Sequence, residues 1–446
     1  MQKTRKAIVL LSVLLVISYL ISPAVSAQDN QVGAKDKRDL ELTSKTQDTA
    51  ESKDITFFGK KVIPIVNLDL LGTYSKIQGH DETWGAIVDA LVSPAIKMNE
   101  NYYIIPLYNF NYTREQQIIA EEEGGYSVQQ TMNHNLYLTN KFRLNDRFIT
   151  KLSGFGTWAY YKETKDEDWS DGLYDYTDAG ALLDFEYEIG ALQDKSFDEL
   201  GLELEYYRRE YQNFKSLISL ASPTAPEENE KDYDGYKLAV GYLRDSADAL
   251  SIEALYQPLW KRYVDKLVVG SDGVLISGDK RKDLQHTIDL NFRYPQTERL
   301  TFYLDNQLII NTSNQNFYDS KDTIVLSDDE FIDDYYEYTS YMLRPKVSYD
   351  IPVKEEKDLR VHLAYAFLDK QYDDRKAQSS TGTYTNDEQE DKFHTFSLGL
   401  SYPLTEKVKA IALFDYTIAK SNMEYEKYYR YNYDLMSIAC GISCRF

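Results

Sequence analysis

From about residue 61 to its last residue the chain alternates apolar and polar side chains, and the alternation is strictest at the end. Met436, Ile438, Cys440, Ile442, Cys444 and Phe446 share one face, while Ser437, Ala439, Gly441, Ser443 and Arg445 share the other. Successive side chains of an extended strand point to opposite sides, so this segment reads as a strand with one apolar face and one small or polar face. The same period recurs upstream. Leu284, Ile288, Leu290 and Phe292 oppose Gln285, Thr287, Asp289, Asn291 and Arg293, and Phe396, Leu398, Leu400 and Tyr402 oppose Thr395, Ser397, Gly399 and Ser401. A helix would scatter these charges around its axis, so only strands are consistent with the pattern.

Sixteen such segments begin near residues 62, 84, 102, 127, 147, 174, 200, 235, 249, 283, 299, 335, 358, 392, 407 and 429. Their connections alternate in length. Short ones fall at 99–101, 144–146, 245–248, 295–297, 353–357 and 404–406, with a longer one at 191–199. Between them lie the long segments 113–125, 162–172, 214–232, 265–280, 312–334 and 373–391. Short turns at one end and long loops at the other describe an all-β chain, an up-and-down antiparallel transmembrane β-barrel of about sixteen strands; one miscounted hairpin would make it fourteen or eighteen. A secreted sandwich or solenoid does not account for the alternating loop lengths.

The chain opens with Lys3, Arg5 and Lys6, an apolar run from Ala7 to Ile21, and small residues ending at Ala27. This is the pattern of a secretory signal, so the expected organisation is a signal peptide over 1–27, a polar periplasmic leader over 28–60, and the barrel over 61–446. No later stretch approaches the ~20 apolar residues of a spanning helix. The net charge of -22 argues against nucleic acid as a partner. Cys440 and Cys444 lie four residues apart on one strand, about 13 Å at ~3.3 Å per residue, too far to be bridged. Tyr is abundant at 39 against Phe 18 and Trp 4, and occurs as doublets such as Tyr102-Tyr103, Tyr160-Tyr161, Tyr206-Tyr207 and Tyr335-Tyr336, which suit the two membrane interfaces.

On the signal pattern, the strand array and the terminal Phe446, the chain resembles the outer-membrane β-barrel proteins of Gram-negative-type bacteria, with porins the nearest functional relatives. The resemblance implies residence in the bacterial outer membrane, contact with its lipid and lipopolysaccharide, and handling by the barrel-assembly machinery. It makes Phe446, with Cys444 and Ile442 on the same face, the insertion signal. A homo-oligomer is compatible with it. The short segment 162–172 departs from the long constricting third loop of trimeric porins.

The lumenal face carries the sharpest constellation. Asp184, Glu186 and Glu188 on the sixth strand stand beside Glu203 and Glu205 on the seventh, with Lys141, Arg143 and Lys151 on the preceding hairpin. Arg344, Lys346 and Arg360 lie further round the wall. Like charges on adjacent strands repel, so such a patch needs water or opposite charge in front of it. These residues are either ordinary wall salt bridges or selectivity determinants. Lumenal Tyr103, Tyr137, Tyr207 and Tyr303 are wall filler or a surface for sugar rings. External acids, at 121–123, 227–228, 328–330, 333–334, 387–388 and 390–391, read as solvated loop faces or as sites of cation attraction.

Of the five histidines, His80 falls in the first loop, His134, His286 and His394 face outward, and only His362 faces the lumen. No nucleophile–base pair, metal site or cofactor motif is visible, so no enzyme is expected. The expectation is a porin-like channel for passive diffusion of small hydrophilic solutes; the alternative is a non-conducting structural or adhesion barrel whose acidic external loops bind partners. The topology makes a direct prediction. Single cysteines placed within 214–232 or 312–334 will react with an impermeant reagent on intact cells, and those within 353–357 will not. Equal labelling of both sets would contradict the orientation.

Overall fold

The computed structural model describes residues 55–57, 60–120, 124–164, 166–192, 196–214, 229–319, 330–354, 357–427 and 429–446. The expected signal peptide and nearly all of the leader lie outside these residues, as do the acids at 121–123, 227–228 and 328–329. Among the described residues no helix is long and apolar enough to cross a membrane. All regular structure among the described residues is β.

The first strands are β1 (Ile55–Phe57), β2 (Lys60–Ile63), β3 (Val66–Ile77), β4 (Thr83–Val92) and β5 (Ala95–Asn99). There follow β6 (Tyr102–Ala120), β7 (Gly125–Arg143), β8 (Phe148–Lys162), β9 (Tyr176–Leu192), β10 (Ser196–Tyr211) and β11 (Tyr233–Ser246). The second half holds β12 (Ser251–Val269), β13 (Leu275–Pro295), β14 (Leu300–Ser313), β15 (Phe317–Asp319) and β16 (Glu330–Ile332). It ends with β17 (Tyr338–Lys354), β18 (Lys357–Gln378), β19 (Tyr384–Pro403), β20 (Val408–Ser421) and β21 (Tyr433–Arg445). β15 and β16 pair only with each other, and the other nineteen segments form one sheet. β2 resumes as β3 after Pro64 and β4 resumes as β5 after Pro94, while β1 is a stub beside β2. The wall therefore has sixteen strands, each antiparallel to its neighbours.

Closure comes from the chain end. β21 pairs with β3 from Leu435 opposite Ile77 to Arg445 opposite Asn67. Phe446 completes the seam by exchanging two backbone hydrogen bonds with Val66, at 3.1 and 2.9 Å. In hydrocarbon an unpaired sheet edge is not tolerated, so this ladder is what permits the fold in a bilayer. On β21 the predicted faces hold: Ile438, Cys440, Ile442 and Phe446 are exposed on the outside, while Ala439 and Ser443 are buried. Both cysteines are free thiols.

Three of the short turns share one construction. In Asn145-Asp-Arg147, Thr297-Glu-Arg299 and Thr405-Glu-Lys407 the first side-chain oxygen accepts hydrogen bonds from the two backbone amides that re-enter the next strand, at 2.9 to 3.2 Å. These Asx and Thr caps supply the acceptors that a tight reversal leaves missing. The connection expected to be longer, 191–199, is as tight as the others. β9 runs to Leu192 and β10 begins at Ser196, with a bulge between Asp198 and Glu199 taking up the extra residue.

At the other end several expected loops are strand. β6 and β7 pair up to Ala120 and Gly125, β12 and β13 to Val269 and Leu275, β18 and β19 to Gln378 and Tyr384. The acids expected in a loop at 387–391 sit on β19, where Glu388 lies opposite Lys376 and Asp391 opposite Lys370. Backbone pairing continues past the bilayer, but the outward face there no longer needs apolar side chains, so the alternation disappears from the sequence while the ladder persists. Above the short β3–β4 hairpin the wall is completed differently. β6 bulges between Arg114 and Gln117, its Arg114 carbonyl approaches so closely that Gly85 has no room for a Cβ, and Gly125 bridges to Arg430.

The Tyr doublets divide between the faces, because adjacent residues cannot both point outward. Outward Tyr112, Tyr206 and Tyr416 donate to Gln130, Asp234 and Asp434 on the descending neighbour, each at 3.2 Å. Tyr108, Tyr256 and Tyr365 pair in the same diagonal way with Nδ1 of His134, His286 and His394, at 2.9, 2.8 and 2.7 Å. These hydroxyls mark the upper edge of the apolar band. Replacing Ile438 with Lys inside that band should cost about 2 to 4 kcal/mol and reduce the heat-modifiable folded species. An unchanged folded yield would show that this face does not meet lipid.

Candidate functional site

Register brings the predicted acidic patch together on the inner wall. Asp184 faces Glu203, Lys151 faces Asp184, and Lys141 faces Lys151. Each acidic pair is spanned by one lysine. Lys151 Nζ lies 3.2 Å from Asp184 and also contacts Glu186. Lys237, on β11, lies 3.0 Å from Glu203 and also contacts Glu205. Lys237 was absent from the sequence prediction; it stands directly across from Glu205, and only the β10–β11 register exposes it. Glu188 follows on the same face of β9, opposite Glu199. Arg143 is not part of the cluster, being the exposed last residue of β7.

The far wall is arranged differently. Arg344 is buried opposite Asp305, so it is packed within the wall and does not stand free in the lumen. Lys346 places its Nζ 4.6 Å above the Tyr303 ring. Arg360 forms a two-pronged pair with Asp350 at 2.7 and 2.8 Å, yet its side chain remains 49% exposed. Arg293, also facing inward, is 41% exposed. Leu413 faces the lumen between Gly399 and Ala439 and is still 38% exposed. Side chains on this side border open space, whereas those of the acidic cluster are packed against each other.

The lumenal tyrosines each have a ring face covered. Tyr137 stacks on Phe155 at 5.4 Å, Tyr207 lies over Gly235 where a Cβ would strike its ring, and Lys97 lies 6.0 Å from Tyr103. Towards the external end another set of tyrosines forms a collar around buried cations. Arg209, hydrogen-bonded to Asp178 through two nitrogens at 2.8 Å, sits 3.9 Å from Tyr176 and 5.7 Å from Tyr233. Arg281, paired with Asp283, lies 4.4 Å from Tyr263 and 3.9 Å from Tyr336. Arg375 lies against Tyr335 and Tyr372 and donates to the Tyr431 hydroxyl at 3.3 Å. A desolvated guanidinium between rings gains ~2 kcal/mol or more, which offsets its loss of water. These rings are packed against the cations they surround.

His362 faces the lumen as expected, between Ser348 and Gly399, and His80 lies in the turn after β3. In the external connection before β9, Asp175 is fully buried. Its Oδ1 accepts the Tyr161 amide at 2.7 Å, and Oδ2 has no hydrogen-bond partner among the described residues. Burial pushes its carboxyl up to about 6 from an ordinary 3.8, despite the amide bond. The native state therefore keeps a proton that the unfolded chain releases. Its stabilising effect is complete below 3.8 and is lost as pH rises through about 6. Asp175→Asn keeps the amide acceptor and removes the charge. The protection factors of the segment before β9, that is, its hydrogen-exchange rates corrected for the intrinsic rise of exchange with pH, should fall between pH 4 and 7 in the native protein and stay constant in the variant; identical profiles would show that this carboxyl does not control the segment.

No family model matches the chain, and no curated protein matches it. Among solved structures it is similar to a loop-deletion form of OmpT, an outer membrane protein of Vibrio cholerae, at 11% identity over 87% of this chain and 99% of that one, with a TM-score of 0.42. It is similar to OccD3 of Pseudomonas aeruginosa at 10% identity over 86% of this chain and 91% of that one, with a TM-score of 0.41. Similarities this slight add nothing to what register and faces establish: a closed sixteen-stranded antiparallel barrel with an apolar band on its outer face.

Proposed function

We propose that the protein is a water-filled pore for passive diffusion of small hydrophilic solutes. The observation that carries this reading is the half-exposed state of inward-facing Arg293, Arg360 and Leu413, which leaves space for water along one side of the lumen. Every strand contributes polar or charged side chains to the inner face, and apolar ones such as Leu91, Leu107 and Leu182 are buried, which suits hydrated solutes better than acyl chains. Asp184, Glu186, Glu203 and Glu205, held by Lys151 and Lys237, form the acidic side of the channel; Lys346 and Arg360 form its basic side. Solutes are discriminated by charge and size as they pass between the two.

A non-conducting barrel is the competing reading. What favours it is the β15–β16 hairpin, which Lys376 ties to β18 through Glu330 at 2.8 Å and whose Tyr318 packs where a Cβ on Gly273 would sit. Conductance in a planar bilayer separates the two. Reversing Lys346 and Arg360 to Glu should move ion selectivity toward cations by roughly a few-fold at low salt, because the half-exposed Arg360 guanidinium meets water in which the Debye length is then long. Neutralising Asp184, Glu186 and Glu203 together should move it toward anions and also lower folded yield, since Lys151 and Lys237 lose their partners. Folded, inserted protein that never conducts, or whose selectivity ignores both changes, would remove the pore reading.

A further inference from the structure

On the outer surface, at the upper edge of the apolar band, a groove of about 400 Å3 is lined by Tyr236, Trp260, Arg262 and Lys282, with Lys261 and Asp283 of the wall behind it. Tyr236 and Trp260 are cross-strand neighbours, and so are Arg262 and Lys282 one step higher. All four side chains are exposed. Arg262 and Lys282 are the first outward charges above the apolar residues of β12 and β13, so the groove straddles the level where acyl chains give way to headgroups.

Like charges directly opposite on adjacent strands are destabilising unless an anion lies between them. The neighbouring carboxylates do not fill that role for Arg262. Asp234, across from Arg262 on β11, is held by Arg208 at 3.5 Å and by the Tyr206 hydroxyl at 3.2 Å. Asp279 approaches Lys282 at 3.7 Å from the β13 hairpin, and no ion pair joins Arg262 to a carboxylate among the described residues. On the β14 side, Asn314, which is uncharged, exchanges backbone and side-chain hydrogen bonds with the Lys282 backbone.

We propose that this groove binds the phosphorylated headgroup of an anionic outer-leaflet lipid. Arg262 presents a planar fork of donors to phosphate oxygens and Lys282 adds a point charge from the opposite strand. Tyr236 and Trp260 form a floor continuous with the apolar band, on which the sugar or glycerol portion rests while the acyl chains follow the barrel wall downward. That continuity selects a lipid over free phosphate. The inference rests on the transmembrane barrel alone and does not depend on conduction.

The test uses full-length protein folded in zwitterionic detergent, titrated with a phosphorylated glycolipid and with its dephosphorylated counterpart, with bound lipid read by native mass spectrometry. The double variant Arg262→Gln, Lys282→Gln should bind the phosphorylated lipid at least about tenfold more weakly, as loss of charge-assisted contacts implies, and the dephosphorylated lipid unchanged. The variant Lys76→Gln, Lys420→Gln removes two other outward cations and should bind like the native protein. Millimolar inorganic phosphate should not displace the lipid. All these positions are exposed, and heat-modifiability confirms that each variant is folded. Undiminished binding by the groove variant, an equal loss in the control variant, or displacement by inorganic phosphate would each overturn the proposal.

Discussion

In hydrocarbon every backbone amide and carbonyl must find its partner inside the protein, and the rest of this structure depends on how the chain meets that requirement. The last rung, Phe446 with Val66, joins the last strand to β3 and closes the wall. The same requirement explains where proline is tolerated. Pro64 and Pro94 interrupt β2–β3 and β4–β5 on adjacent strands, and the intervening amide of Ser93 is still satisfied by the Ile65 carbonyl at 2.8 Å. Each proline removes one donor, and pairing the interruptions confines the lost rungs to one place near the short-turn end.

A closed sheet has only an outside and an inside, so each pair of consecutive residues is divided between lipid and water. That division governs the unusual tyrosine content. Outward tyrosines tie their hydroxyls to polar acceptors at the membrane edge, while their inward neighbours cover wall glycines or sandwich the cations of the collar. Tyr206 and Tyr207 show both uses in consecutive positions, one donating to Asp234 and the other lying over Gly235. An interface girdle alone does not account for the inward half.

Strand number, inward and outward faces, and the lumenal placement of Asp184, Glu186, Glu203 and Glu205 were legible in the sequence because lipid imposes a period of two on every crossing. Outside the bilayer that pressure stops. β13 and β19 therefore begin at 275 and 384 instead of near 283 and 392, in segments whose charged residues resemble loop. Lys237 and the burial of Arg344 were not legible for another reason. Alternation gives a residue's side of the wall, but its neighbour across the strand depends on turn length and bulges, and its burial depends on what that neighbour is. The Asn145, Thr297 and Thr405 turns would have supplied part of that register, since each is capped in the same way.

The formal charge of -22 is a poor guide to the field inside the lumen. Many acids stand on external hairpins, where water and salt screen them, and the lumenal acids that the sequence drew attention to are bound to lysines within the wall. Each lysine offsets one of the two carboxylates it spans, so a hydrated ion a few ångströms away feels less than the acids alone would exert. Arg360 also has a carboxylate partner, but its guanidinium remains half in water and its field reaches the lumen directly. The two sides of the inner wall thus differ less in the number of charges than in how far those charges are withdrawn from water. Packing against neighbouring strands, which the barrel's register dictates, decides which of them reach open space in the lumen.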